Sequence, residues 1–182
     1  MLHLPAREYH ADLVEFMVAT GIRTGELTRL TVRDVNFRAK TISIIAKDRA
    51  HPRDAMIHDG LRPIVKRIVA YAKAHNDGRF VPTGVAYLAN MFKAWQRRLD
   101  EPRLNGRRLR QTAITGALEQ GASLLDAKDF AGHTKIDTTA LYAEAVEDRR
   151  AQVAERLHRA LEAEEVEPEA SSREDEGEEE AA

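Results

Sequence analysis

One stretch of strand-like sequence interrupts a chain whose other apolar residues follow a helical pattern, and this contrast constrains the fold most. Residues 41–46 (TISIIA) form a short β-branched run, and residues 54–57 (DAMI) form a second. The residues between them, 47–53, contain Pro52 and four charged side chains, which is typical of a turn. The two runs therefore predict a hairpin, to which residues 35–37 can add a third strand.

Apolar residues at helical spacing on both sides of this stretch predict a mainly α domain with a small antiparallel β-sheet. Glycines mark several helix ends, and Thr24 and Ser123 can act as N-caps. Arg110 is expected to open a helix directly after an arginine-rich stretch. The expected helices cover residues 9–19, a segment from about Thr24, residues 61–75, 84–99, 111–120 and 124–130, and a segment capped by Asp137 or Thr138.

The charge of the chain is segregated, although its net charge is only −2. Residues 162–182 contain eleven acidic residues and one basic residue, which leaves 19 acidic and 27 basic residues in residues 1–161. A body with such a basic surplus is typical of proteins that bind nucleic acid, although a soluble domain with extra surface arginines would also fit. The acidic segment has almost no apolar residues, so a disordered tail is expected there.

Features that the sequence lacks exclude several kinds of site. With no cysteine, the chain has neither disulfides nor thiolate metal ligands. No apolar run approaches 18 residues and the N-terminus lacks a signal-peptide pattern, so we expect a cytoplasmic protein without membrane contact. No metal-ligand spacing, glycine-rich nucleotide loop or Ser-His-Asp pattern occurs, and no cofactor or metal is expected.

Several cationic and phenolic side chains occupy positions from which they can converge on one anion. Arg23 lies between two predicted helices, where a guanidinium can present several donors to an oxyanion. Arg110 beside the free N–H groups of a helix start would suit a phosphate. His133 precedes Tyr142 by nine residues, and Lys47 on the hairpin tip can reach a neighbouring site. The ordinary alternatives are a surface arginine, a turn histidine, a packing tyrosine and an edge-strand lysine.

Taken together, these fragments resemble the tyrosine recombinases, the phage-integrase-like family. Residues 20–27 (TGIRTGEL) resemble the first box of that family. Residues 109–112 (LRQT), 131–133 (AGH) and 138–142 (TTALY) resemble its second box, in the right order and spacing. The predicted hairpin lies between the boxes, as in the family. The resemblance covers residues 9–142 and implies the tyrosine recombinase catalytic fold.

The resemblance also implies a role for each candidate residue. Arg23 and Arg110 look like the two arginines that hold the non-bridging oxygens of the scissile phosphate. Lys47 is similar to the hairpin lysine that protonates the leaving 5′-oxygen. His133 looks like the histidine that donates to the phosphoryl group, and Tyr142 looks like the nucleophile that forms a 3′-phosphotyrosyl bond. Two guanidiniums and an imidazole can stabilise the charge of such a transition state without a metal.

The sequence departs from the family pattern at Arg107, where the family usually has a histidine or lysine three residues before the second arginine. Arg107 is a candidate site residue, but arginine cannot exchange protons near neutral pH, so impaired turnover is expected. Glu26 is similar to the acidic residue that buttresses the first box. Only about ten residues precede the first predicted helix, so residues 1–161 are expected to form the catalytic domain alone, followed by the acidic tail at 162–182.

The function implied is that of a site-specific recombinase that cuts and rejoins double-stranded DNA. Three alternatives stay open: a DNA-binding or regulatory relative with weak or no turnover, a type IB topoisomerase-like enzyme, and a helical interaction protein without a DNA role. After the tyrosine, a narrow apolar stripe predicts a docking helix from about residue 145, which suits packing on the chain's own body or on a neighbour. Self-association on DNA through this helix is expected; the stripe consists of Val146, Val153, Leu157 and Leu161. The acidic tail would compete with DNA for the basic body or serve solubility.

Overall fold

The helical pattern of the sequence corresponds to seven α-helices in the described part of the chain. The structure is a computed structural model that describes residues 6–45, 52–82, 84–133 and 135–165, with side chains as far as residue 156. The helices are α1 (Ala6–Thr20), α2 (Thr24–Leu27), α3 (Leu61–His75), α4 (Val85–Leu99), α5 (Gly106–Glu119), α6 (Leu124–Ala131) and α7 (Asp137–Glu165). A short 3-10 helix spans Val32–Asp34. No described helix is long and apolar enough to cross a membrane.

The strand-like stretch forms a three-stranded antiparallel sheet in the order β1-β2-β3, which confirms the expected fold class. The strands are β1 (Val35–Asn36), β2 (Thr41–Ile44) and β3 (Arg53–Met56). Ile42 pairs with Val35 on one side and with Ala55 on the other. Because side chains alternate along a strand, Ile42, Ile44 and Ala55 are buried together. Lys47 and the rest of residues 46–51 lie outside the described residues.

Two hydrophobic cores form in the described part of the chain. The larger core packs α1 against α3 and extends to the sheet and α4; Phe16, Met17 and Ile68 are fully buried in it. The smaller core joins α5, α6 and the first turns of α7, with Ile114 and Val146 at its centre. Helix α1 also packs against α5, which connects the two cores.

Helix α5 begins earlier than the sequence predicted. Arg110 was expected to open this helix, but α5 starts at Gly106, and the Asn105 side chain accepts a hydrogen bond of 3.0 Å from the backbone N–H of Arg108. An asparagine N-cap satisfies N–H groups that the helix leaves free, which explains the earlier start. Arg110 therefore lies within α5 and is not placed beside the free N–H groups of its first turn. Thr24 likewise is the first residue of α2, and Arg23 is its N-cap.

The C-terminal helix extends from the smaller core into a second compact unit. The chain divides into units Met1–Val146 and Glu147–Ala182, and α7 contributes to both. Val146 is buried in the first unit, and Val153 in the second is 48% exposed. The side chains of Leu157 and Leu161, and all of residues 166–182, lie outside the described residues. The expected apolar stripe and acidic tail are therefore described only in part.

The starts of α2 and α5 touch each other at a glycine. A Cβ added to Gly106 would overlap Cγ2 of Thr24 and lie 3.0 Å from Cε of Met17. In the same helix, a Cβ added to Gly116 would meet nothing within 4 Å. The absence of a side chain at Gly106 therefore lets the two helix starts approach closely.

We expect Gly106→Ala to lower the free energy of unfolding by about 1–3 kcal/mol, because the new methyl group overpacks this contact. Gly116→Ala is the matched control: it should raise the stability by up to about 1 kcal/mol, since alanine favours a helix interior over glycine. Urea denaturation followed by circular dichroism measures both variants. If the two substitutions changed the free energy of unfolding equally, the contact between α2 and α5 would not limit the size of the residue at position 106.

Candidate active site

Arg23 is held at the start of α2 by a buried carboxylate. Its Nη1 atom donates to Oε1 of Glu26 at 2.9 Å, and its backbone N–H donates to Oε2 at 3.0 Å. Its Nη2 atom donates to the carbonyl of Gly132 at 3.0 Å. The Glu26 side chain is 5% exposed whereas that of Arg23 is 41% exposed. Arg23 is thus fixed on one side by protein groups and remains accessible on the other.

Arg110 joins the C-terminal ends of two helices. Its Nη1 atom donates to the carbonyl of Gly21, directly after α1, and its Nη2 atom donates to the carbonyl of Ala131, the last residue of α6, at 2.5 Å. The last carbonyls of a helix lack partners within the helix and carry partial negative charge, so they suit a guanidinium. Burial, followed by the positive charge of Arg23, lowers the pKa of Arg110 to about 10. Arg110 is therefore still a cation at neutral pH.

A third arginine, Arg53, completes this group, and the sequence reasoning missed it. It is the first residue of β3, and its guanidinium donates to the carbonyl of Thr20 at 3.3 and 3.4 Å. Its Nη2 atom lies 3.7 Å from Oε2 of Glu26. Strand alternation was the signal available in the sequence, because Arg53 stands two residues before the inward-facing Ala55.

His133 and Tyr142 face each other beside the arginines. Nδ1 of His133 lies 2.8 Å from the hydroxyl of Thr139, which is fully buried on α7. The rings of His133 and Tyr142 are nearly parallel, with centroids 6.3 Å apart and an interplanar angle of 18°. Thr139 and Tyr142 are three residues apart, so one face of α7 carries both partners of the imidazole. Thr139 was not predicted as a site residue.

Burial and the neighbouring arginines both lower the pKa of His133. Burial has the largest effect and the charges of Arg110, Arg23 and Arg53 add to it, so the pKa of His133 falls to about 4. A neutral imidazole has one N–H donor and one acceptor nitrogen. Three guanidiniums and one carboxylate leave a positive surplus in this site, which suits an anion. Among the described residues, no His, Asp or Glu cluster could hold a metal ion.

Arg107 lies outside this group of contacts. Its side chain is exposed near the start of α5 and lines a groove of about 400 Å³ together with Thr24, Lys93 and Gln96. Much of the remaining groove wall is apolar, including Leu88, Ala89 and Phe92 from α4. Thr24, which directly follows Arg23 in the chain, is shared between α2 and the wall of this groove. The structure therefore brings together four predicted site residues, Arg23, Arg110, His133 and Tyr142, and places Arg107 in a separate groove.

Comparison with known proteins gives one family match and a consistent group of similar folds. The chain matches the Phage integrase family model over residues 2–149. It is 26% identical to the tyrosine recombinase XerC of Staphylococcus aureus (strain USA300), in an alignment that covers 71% of this chain and 47% of that protein. The chain thus spans about half the length of the curated relatives it matches.

Two solved structures illustrate the similarity in fold. The site-specific recombinase XerH, in a post-cleavage complex with a palindromic difH substrate, matches with a TM-score of 0.67 and 18% identity over 84% of this chain and 47% of that chain. The XerA recombinase matches with a TM-score of 0.63 and 18% identity over 84% of this chain and 66% of that chain. At this level of identity, the two matches establish the common fold.

Proposed function

The chain belongs to the phage integrase family, and on that premise we propose that it is the catalytic domain of a site-specific tyrosine recombinase acting on double-stranded DNA. The observation that carries the proposal is the position of His133, whose ring lies beside Tyr142 and within the field of three arginines. A phosphodiester is the substrate class that uses a positive site, an imidazole donor and a phenol together. We also propose a cytoplasmic location for this activity.

In the proposed reaction, the hydroxyl oxygen of Tyr142 attacks the scissile phosphorus. The bond to the 5′-oxygen breaks as the 3′-phosphotyrosyl bond forms, and the leaving oxygen takes up a proton, for which we propose Lys47 as the donor. The phenol must lose its own proton as it attacks, and we propose solvent water as the acceptor. Attack by a 5′-hydroxyl on the phosphotyrosyl bond reverses these steps and rejoins the strand.

Arg23 and Arg110 are proposed to hold the non-bridging oxygens. A guanidinium has five N–H donors, and the contacts to Glu26, Gly132, Gly21 and Ala131 use two donors of each arginine side chain. Donors already fixed by the protein need little reorganisation when charge develops on the phosphate. In the tautomer whose Nδ1 accepts from the hydroxyl of Thr139, the ring proton of His133 lies on Nε2, where it can donate to the phosphoryl group.

We expect Tyr142→Phe to abolish covalent protein–DNA adducts on a nicked suicide duplex, because phenylalanine keeps the ring beside His133 but lacks the attacking oxygen. DNA affinity should stay close to that of the wild type. Tyr87→Phe is the matched control and should still form adducts. Denaturing gel electrophoresis with labelled DNA detects the adduct, and adducts that persist in Tyr142→Phe would place the nucleophile elsewhere.

Arg107 favours a second candidate function, that of a DNA-binding or regulatory member of the family with weak or no turnover. Its charge and its exposed place in the groove beside Thr24 suit a phosphate contact. An arginine, however, stays protonated and cannot act as the general base for the Tyr142 proton. General acid–base catalysis typically contributes about 10²–10⁴ in rate. We therefore propose normal phosphate binding with slow cleavage.

Arg107→His should raise the single-turnover cleavage rate with little change in DNA affinity, because histidine exchanges protons near neutral pH. Arg108→His, at the exposed neighbouring position of α5, is the control and should leave the rate unchanged. Quenched-flow measurement of adduct formation compares the two variants. A lower rate in Arg107→His would mean that the arginine is a working part of the site, and the second candidate would lose its support.

The C-terminal segment is proposed to regulate DNA binding. We infer that α7 from about residue 145 mediates self-association on DNA, supported by the exposed apolar side chain of Val153. We also infer that the acidic residues of 162–182 compete with DNA for the basic body, supported by their eleven acidic side chains.

Two truncations separate these inferences. Deletion of residues 162–182 should tighten DNA binding at low salt and preserve cooperative binding to a two-site duplex, since only the acidic competitor is removed. Deletion of residues 147–182 should also abolish the cooperativity. Gel-shift titration measures both quantities. Unchanged affinity after the shorter deletion would leave the tail a solubilising role, and intact cooperativity after the longer one would exclude α7 as the contact.

A further inference from the structure

Arg53 occupies an inward-facing position of the sheet, next to apolar side chains. It begins β3, pairs with Ile44 across the sheet, and faces the same side of the sheet as the buried Ala55. Its side chain is 13% exposed. A long cation is costly to remove from water, so a residue that served only to fill this space would be apolar.

The guanidinium of Arg53 is partnered by Glu26 and by the end of α1. Its two Nη atoms donate to the carbonyl of Thr20, and Nη2 also lies 3.7 Å from Oε2 of Glu26. Burial lowers the pKa of Arg53, and the carboxylate of Glu26 acts in the opposite direction. Within the described part of the chain, the buried Nε atom has no hydrogen-bond partner. The side chain therefore lies at this place with one unsatisfied donor.

Glu26 connects Arg53 to Arg23. The same carboxylate accepts from the backbone N–H and from Nη1 of Arg23, while it pairs with Arg53 on its other side. A carboxylate rotates less when cations hold it from two sides. Loss of Arg53 would leave Glu26, and with it Arg23, without this second anchor.

The aliphatic part of Arg53 supports the segment that carries His133. Gly132 ends α6 with a positive φ of 63°, and a Cβ added there would lie 2.7 Å from Cδ and 2.9 Å from Nε of Arg53. The Arg53 side chain thus packs directly on the Gly132 backbone. The carbonyl of Gly132 accepts from Nη2 of Arg23, and the next residue is His133. One side chain therefore contacts both halves of the site.

We propose that Arg53 is a positioning residue for strand cleavage, which fixes Arg23 through Glu26 and fixes His133 through Gly132. This inference rests on the proposed recombinase function. Arg53 does not contact the phosphate; it sets the distance between the groups that do. Displacements of about 1 Å at a reacting centre can cost about 100-fold in rate, so a side chain behind the site can control cleavage.

The test uses the full chain with Arg53→Gln, Arg53→Lys and the control Arg67→Gln. Arg67 is a suitable match because its guanidinium also pairs with a buried carboxylate, that of Asp12, at 2.6 Å. We expect Arg53→Gln to lower single-turnover cleavage by about 10- to 100-fold with DNA affinity nearly unchanged. Arg67→Gln should change thermal stability but not the cleavage rate of the folded protein.

The pKa of His133, followed by the NMR signals of its ring, gives a second readout that needs no activity. The cations that act on this ring come from α5, from the start of α2, from β3 and from α6: Arg110, Arg23, Arg53 and Lys128. Removing the Arg53 charge in Arg53→Gln should raise the pKa of His133. Arg53→Lys keeps the charge but not the planar fork, so the pKa should stay low while cleavage remains slow. Arg67→Gln should leave the pKa of His133 unchanged.

The outcomes separate this inference from the proposed function. If the wild-type chain forms no adduct on DNA, the recombinase proposal fails, and the titration of His133 still tests the placement of Arg53. An unchanged pKa in Arg53→Gln, or full cleavage by either Arg53 variant, would overturn the positioning role. A loss of DNA affinity as large as the loss of cleavage would also overturn it, since Arg53 would then be a DNA contact.

Discussion

The candidate site depends on the hydrogen bonds by which Arg110 joins the carbonyls of Gly21 and Ala131. These carbonyls end α1 and α6, which belong to the larger and the smaller core. A helix end buried without donors would be unstable, and a guanidinium buried without acceptors would be equally costly. The guanidinium of Arg110 therefore supplies the donors that the helix ends need, and the carbonyls supply the acceptors that the guanidinium needs. This contact fixes the distance between the first and second boxes of the sequence. The positions of Arg23 and His133 follow from that distance.

The same arrangement determines the electrostatics of the site. Main-chain carbonyls are dipoles, so they stabilise the arginines without cancelling their charge, and Glu26 pairs with Arg23 and Arg53. Burial, followed by the positive charge that remains, lowers the pKa of His133 to about 4. The negative charge of a phosphate would offset the contribution of the guanidiniums around the ring. The site is thus organised for an anion before the anion arrives, which lowers the reorganisation needed during the reaction.

The sequence predicted the fold better than it predicted the site. Periodicity is a local property, so the helices and the hairpin were predicted, and the family match and similar folds confirm the fold class. Resemblance supplied the residues of the two boxes, whose roles remain predictions. Arg53 was missed because residues 47–53 were predicted as a turn, whereas β3 begins at Arg53, and because its partners Thr20 and Gly132 are far away in the chain. The predicted start of α5 was wrong because Asn105 was not considered as an N-cap.

The arginines of this chain differ in how firmly the surrounding protein holds them. Arg23, Arg53 and Arg110 are fixed by helix ends and by Glu26, so a change at any of them disturbs the backbone that carries the site. Arg107 is exposed at the edge of the groove, so its identity can change without disturbing that framework. Under the proposed function, exchanging the residue at position 107 would therefore alter proton transfer and leave Arg23, Arg53 and Arg110 in place. A histidine or lysine there would suit rapid cleavage, whereas the arginine would suit slow cleavage.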